Sequence, residues 1–193
     1  MAEESAAVTP DPEAAGEEKQ ARRQGIAVVY TGNGKGKTSS ALGVLMRSWG
    51  RDMRVVMLQY IKQTTANFGE NRAARKMDVE MIPLGGGFTW LSKDIEKDKA
   101  LAREGWELSK QKLADPQYDV VILDEITYIL TYGWVPTDEV IAALKARPPH
   151  MHVILTGRNA PEALVEYADL VTEMREIKHP YAKGIKAQPG LDF

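Results

Sequence analysis

Short apolar runs alternate with amphipathic stretches from Gly25 to the C-terminus. Ile26-Ala27-Val28-Val29-Tyr30 is a continuous apolar run, the signature of a strand covered on both faces. Residues 37–49 place Ala41, Leu42, Leu45, Met46 and Trp49 at helical spacing. The same reading predicts strands over 53–60, 79–84, 119–123, 152–156 and 170–177, and helices over 67–76, 94–113, 137–146 and 161–167. In the long helix, Ile95, Leu101, Ala102, Leu108 and Leu113 mark one side. Thr137 is the expected N-cap of the next helix, and Pro161 falls in the first turn of the last. Residues from 178 onward read as irregular. Strands alternating with helices imply a parallel sheet covered on both faces and joined by right-handed crossovers.

Residues 1–24 do not share this pattern. Six acids (Glu3, Glu4, Asp11, Glu13, Glu17, Glu18) face three bases (Lys19, Arg22, Arg23), and the large apolar residues are Met1 and Val8. Such a segment buries too little to offset its ordering entropy, so it reads as a flexible acidic tail. The remainder, 25–193, has the length of one domain. The chain's formal charge is −2, and removing the tail leaves a body of +1. That balance argues against a nucleic-acid or anionic-membrane surface, though not against a local basic pocket. Cysteine is absent, which excludes disulfides, thiolate metal sites and cysteine nucleophiles. No apolar run approaches the roughly 20 residues of a membrane span, and the acidic N-terminus lacks the features of a secretory signal. A cytoplasmic location is the expectation.

The segment richest in chemistry is Thr31-Gly32-Asn33-Gly34-Lys35-Gly36-Lys37-Thr38, between the first strand and the first helix. Glycines let such a loop turn its N–H groups toward phosphate oxygens, and the helix N-terminus adds partial positive charge. Lys37 would neutralise phosphate, and the Thr38 hydroxyl would ligate Mg²⁺. The strict phosphate-loop pattern starts with glycine, where this chain has Thr31. Lys37 occupies the last glycine position of G-x-G-x-x-G, so a dinucleotide loop is not expected. The apolar run Val120-Val121-Ile122-Leu123 delivers Asp124 and Glu125 to the carboxyl edge of the sheet, where ligands bind in open α/β folds. One of these acids should act on Mg²⁺, directly or through water; spacing does not say which. The fold class is therefore α/β, a mostly parallel sheet with helices on both faces, of the P-loop NTPase (RecA-like) type. A kinase, an NTPase switch and a motor module would all carry these features.

The segments TGNGKGKT, GGGFTW, LDEITY, ILTGRNAP, ADLVTEM and KHPYAKGIKAQPGLDF, in their order along the chain, resemble the P-loop ATP:corrinoid adenosyltransferases, also called cob(I)yrinic acid a,c-diamide or cob(I)alamin adenosyltransferases. The resemblance runs from about Gly25 to Phe193. It implies transfer of the 5′-deoxyadenosyl group of ATP to the cobalt(I) of a reduced corrinoid, with triphosphate leaving as a unit. It implies that Gly32, Asn33, Gly34, Lys35, Gly36, Lys37 and Thr38 cradle the triphosphate, with Lys35 and Lys37 neutralising the leaving group. Thr38 and Glu125 would hold Mg²⁺ with Asp124 in support. Phe88 and Trp90 would displace the lower axial ligand of the corrinoid. Arg47, Lys62, Glu70 and His179 are further candidate contacts to nucleotide or corrinoid. A reduced flavoprotein donor and a homodimer also follow from the resemblance. Gln63 and Phe68 stand where the family carries glycine and tryptophan.

The chemistry agrees with the residues that are missing. Cobalt(I) is a nucleophile with no proton to remove, so no general base is needed. The three histidines, His150, His152 and His179, show neither triad nor H-E-x-x-H spacing, nor the D-x-H-x-x-G of a histidine-ligated corrinoid. The alternative on the same fold is a Mg-ATP-dependent phosphotransferase or ATPase, which would release ADP. A non-catalytic module for single-stranded nucleic acid is disfavoured by the near-neutral body.

Overall fold

The structure is a computed structural model that describes residues 24–63, 68–86 and 95–192. The tail assigned to residues 1–24 lies outside them but for Gln24, as do Phe88 and Trp90. Six strands form one sheet: β1 (Ala27–Thr31), β2 (Val55–Gln63), β3 (Glu80–Gly85), β4 (Val120–Asp124), β5 (His152–Thr156) and β6 (Leu170–Glu173). Their order is β3-β2-β4-β5-β1-β6, and every pairing is parallel. The described helices are α1 (Lys37–Trp49), α2 (Gly69–Met77), α3 (Ile95–Ala114), α4 (Thr127–Thr131), α5 (Thr137–Ala146) and α6 (Glu162–Tyr167).

The sheet separates two cores because side chains alternate along each strand. Val28, Val55, Met57, Val120, Ile122 and Ile154 point to one face, where α1 contributes Ala41 and Leu45. Val29, Val56, Leu58, Val121, Leu123, Val153 and Leu155 point to the other. There they meet Trp106 and Leu113 of α3, Ile129 of α4, Val140 and Leu144 of α5, and Leu164 of α6. The apolar runs of β1, β2, β4 and β5 are thus covered on both faces, whereas the edge strands differ: β3 is partly covered and β6 is exposed throughout. Trp106 is fully enclosed, and its indole N–H donates to Glu139 Oε1 at 2.6 Å.

Several local expectations need correction. On α1 the buried positions are Lys37, Ala41, Leu45 and Ser48, while Met46 and Trp49 are exposed. On α3 the expected Ala102 and Leu113 are buried, Gly105, Trp106 and Ser109 join them, and Ile95 is exposed. Thr137 is the first residue of α5 and caps nothing; Pro136, extended at φ −63° and ψ 138°, is the N-cap. Pro161 likewise precedes α6 rather than starting it. The last strand stops at Glu173, where the chain turns across the glycine loop, and a short 3₁₀ turn at Pro180–Lys183 breaks the irregular end. The helix α4 was not anticipated, because five residues carry too little periodicity to register.

Candidate active site

Residues 32–36 link β1 to α1 at the carboxyl edge of the sheet. Gly36 is the N-cap of α1 at φ 118°, in the left-handed region, and no side chain caps this terminus. The first-turn N–H groups therefore face the loop, as an anion site requires. Gly32 and Gly34 have a second reason to be glycine. A Cβ on Gly32 would lie 2.5 Å from the Met174 carbonyl oxygen, and one on Gly34 would lie 2.6 Å from that of Arg175. The Gly34 N–H donates to Met174 O at 2.7 Å, so the segment after β6 is a backing strap for the loop.

Lys37 is buried, and its ammonium donates to the carbonyls of Gly32 and Gly34, both at 2.8 Å. Burial pulls it below the usual lysine value, partly offset by the charge of Glu125. Asp124, at the end of β4, is also buried. Its Oδ1 accepts from Thr38 Oγ1 at 2.9 Å and from Thr156 Oγ1 at 2.8 Å. On the other side of Asp124 stands the buried amide of Gln59, which takes a 3.2 Å bond from Asn71. Burial pushes the Asp124 carboxyl up, opposed by the charge of Lys62 and these bonds.

Glu125 is different. Its backbone is left-handed at φ 61°, and its N–H donates to Thr156 Oγ1 at 2.9 Å. Its Oε2 is buried without a hydrogen-bond partner among the described residues. Burial first, then the neighbouring Asp124 charge, push its carboxyl up to about 7, while Lys37 opposes the shift. An acid in this state favours binding a cation. Thr38 and Glu125 offer hard oxygen donors beside a phosphate loop, the ligand set that suits Mg²⁺ completed by phosphate oxygens and water. Among the described residues no group of three His, Cys, Asp or Glu is placed to hold a metal ion.

The structure gathers Lys37, Thr38, Asp124 and Glu125. Lys35 is half-exposed and pairs with Asp192 near the end of the strap. Asn33 is exposed. Lys62 and Glu70 pair with each other, and Lys62 also stands 5.2 Å from the centre of the Phe68 ring. The Lys62 charge still acts on Asp124 and Glu125, so this pair borders the acids. His179 accepts from the Tyr181 N–H and caps the 3₁₀ turn. Arg47 is in the last turn of α1, about 15 Å along the helix from Lys37 at 1.5 Å per residue, and is not brought to the site.

A family model described as ATP:corrinoid adenosyltransferase BtuR/CobO/CobP matches residues 23–193. The chain belongs to that family. It is 44% identical to the corrinoid adenosyltransferase CobA of Salmonella typhimurium over 170 residues, 88% of this chain and 86% of that one. It is 43% identical to the corrinoid adenosyltransferase of Pseudomonas aeruginosa over 177 residues, 90% and 87% of the two chains. The flagellar accessory protein FlaH from Methanocaldococcus jannaschii shares the fold, with a TM-score of 0.50 at 14% identity over 78% of this chain and 71% of that one.

For this corrinoid adenosyltransferase family member, the sequence reading missed Gln59, Thr156 and Thr127. Gln59 and Thr156 each interrupt or end an apolar strand with a polar side chain, a signal that was present in the sequence. Thr127 begins the short α4, and its hydroxyl donates to Arg158 O at 2.6 Å.

Proposed function

We propose that this chain transfers the adenosyl group of ATP to the cobalt of a reduced corrinoid and releases triphosphate. The observation that carries this is a phosphate loop facing an acid pair, in a chain 44% identical to a corrinoid adenosyltransferase over most of both lengths. In the reaction the C5′–O bond breaks and the cobalt(I) electron pair forms the Co–C bond. The bonding electrons leave on the triphosphate oxygen, and no proton moves.

The residues then have distinct tasks. The loop amides and the uncapped terminus of α1 bind the triphosphate, and the Lys37 ammonium leaves its two loop carbonyls to meet phosphate. Lys35 exchanges Asp192 for the same anion. Thr38 and Glu125 would hold Mg²⁺, which supplies charge for the departing triphosphate when bound. Glu125 would be the direct ligand, because its Oε2 has no partner among the described residues. Asp124 orients Thr38, since its Oδ1 is already occupied by two hydroxyls. Phe88 and Trp90 take the lower face of the corrinoid, a reduced flavoprotein supplies the electron, and the protein works in the cytoplasm as a homodimer. Tyr128, whose hydroxyl feels the Glu125 charge, lines a small recess together with Leu84, Gly86, Asp98 and Trp134. Among the described residues no helix is long and apolar enough to cross a membrane.

The test is anaerobic incubation with Mg-ATP and chemically reduced cobalamin in the dark. A photolabile alkyl-cobalt spectrum with one triphosphate per corrin supports the reading. Steady ADP without alkyl-cobalt would replace it with phosphotransfer or ATP hydrolysis.

A further inference from the structure

We propose that Arg158 is a second fixed cation for the departing triphosphate, a catalytic residue acting beside Lys37; the proposal rests on the adenosyl-transfer reading. Arg158 follows β5, the strand between the phosphate-loop strand β1 and the acid strand β4. The turn that carries it is fastened on both sides. The Gly157 N–H donates to Tyr30 O at 3.1 Å, and the Ala160 N–H donates to Thr31 Oγ1 at 3.1 Å. Thr31 is the residue that replaces the usual first glycine of the loop, and this bond gives its hydroxyl a purpose. From the other side, Thr127 Oγ1 donates to Arg158 O at 2.6 Å, two residues beyond Glu125.

Gly157 makes this close approach possible. Its φ is 140°, and a Cβ there would stand 2.0 Å from Thr127 Oγ1. Residues 157–160 are therefore held between the first residue of the phosphate loop and the helix that follows the acids. The side chain they present is exposed and makes no ion pair among the described residues. Its charge reaches Lys37, which it pushes down, and Glu125 and Tyr128, whose shifts it opposes. A cation fixed beside another cation is repulsive until an anion arrives between them. The triphosphate gains one negative charge as the C5′–O bond breaks, so a second cation carried on this turn would stabilise the transition state more than the bound ATP. A guanidinium also offers the paired donors that phosphate oxygens accept.

The experiment compares wild type with Arg158→Gln, Arg158→Lys and Arg158→Ala. Turnover is followed with Mg-ATP and chemically prepared cob(I)alamin, and inorganic triphosphate binding is followed by calorimetry. Arg158→Gln should lose roughly 100-fold in kcat, the scale of one lost electrostatic donor, with little change in the corrinoid KM. Its triphosphate affinity should fall at least about tenfold, and Arg158→Lys should recover part of both losses. Added guanidinium should restore part of the Arg158→Ala turnover, which a purely structural role would not allow. An active wild type with Arg158→Gln within about threefold of it in both turnover and triphosphate affinity overturns the proposal. A wild type that makes no adenosyl product overturns the underlying reading, while the triphosphate measurement still decides whether Arg158 binds phosphate.

Discussion

At the amino ends of the strands, polar groups are closed among themselves. Asp119 Oδ2 accepts from the Arg54 amide at 2.7 Å, and Asp169 Oδ2 from the Ala27 amide at 2.7 Å. His152 Nδ1 accepts from the Ile26 amide at 3.1 Å, and Glu80 takes Lys112 and Tyr118 together. At the carboxyl ends the reverse holds. Both buried side-chain atoms without partners among the described residues, Asn71 Oδ1 and Glu125 Oε2, lie there. Among the described residues the Lys37 ammonium donates to carbonyls of its own loop alone, and α1 starts without a side-chain cap. Glu125 also holds a left-handed backbone, uncommon for a side chain of its size. The amino edge closes its polar groups on the fold, while the carboxyl edge, where Asp124 and Lys62 are paired too, is where buried side-chain atoms are left without a partner among the described residues.

The sharpest way to break that contrast is at Lys37. Lys37→Ala should reduce triphosphate formation by roughly 1,000-fold or more while the melting temperature stays close to that of the wild type. An active Lys37→Ala would remove the loop from the mechanism. Glu125 should behave as a ligand in waiting. Its carboxyl is raised to about 7, so ionising it costs stability that grows as pH climbs from the unfolded value of 4.5 and levels off above 7. Glu125→Gln should therefore stabilise the nucleotide-free protein at pH 8, by about 1 kcal/mol, yet lower adenosyl transfer roughly 100-fold. Thermal melts at pH 5 and pH 8 check the first part, and a destabilised variant at pH 8 would contradict it.

How much of this was legible follows the same division. The strands of the core announced themselves, because two-sided burial demands continuous apolar runs such as Val120-Val121-Ile122-Leu123. The loop and the acid pair were readable because phosphate and metal chemistry restrict residue type and spacing. The insertion of β5 between β1 and β4 was not readable, since strand order depends on crossovers between distant segments. Hence the polar end of β5 marked Thr156 as unusual, but nothing local said that β5 brings Thr156 to the acids and the turn at Arg158 to the phosphate-loop strand. Spacing alone did not separate Asp124 from Glu125, although the family resemblance set Glu125 at the metal and Asp124 in support. The difference arises from the left-handed turn at Glu125 and the hydroxyls that converge on Asp124.

The smallest effect belongs to the closed edge. Burial alone would raise the Glu80 carboxyl, but hydrogen bonds from Lys112 and Tyr118 outweigh it and hold the group below its usual value. Its contribution is therefore present above the unfolded value of 4.5 and lost as pH falls through the lower folded one. Because the side chain is 41% exposed, solvent screening keeps the effect within about 1 kcal/mol. Glu80→Gln should lower the melting temperature slightly at pH 7, converge with wild type in acid, and leave adenosyl transfer unchanged. A loss of transfer would mean that the two edges are coupled.

The most direct test of the central claim uses ATP carrying oxygen-18 in the C5′–O–P bridge. Adenosyl transfer breaks the carbon–oxygen bond, so all the label should leave with the triphosphate, matched by unlabelled adenosyl on cobalt. Label retained on the nucleoside 5′ carbon, as in ADP, would contradict the account.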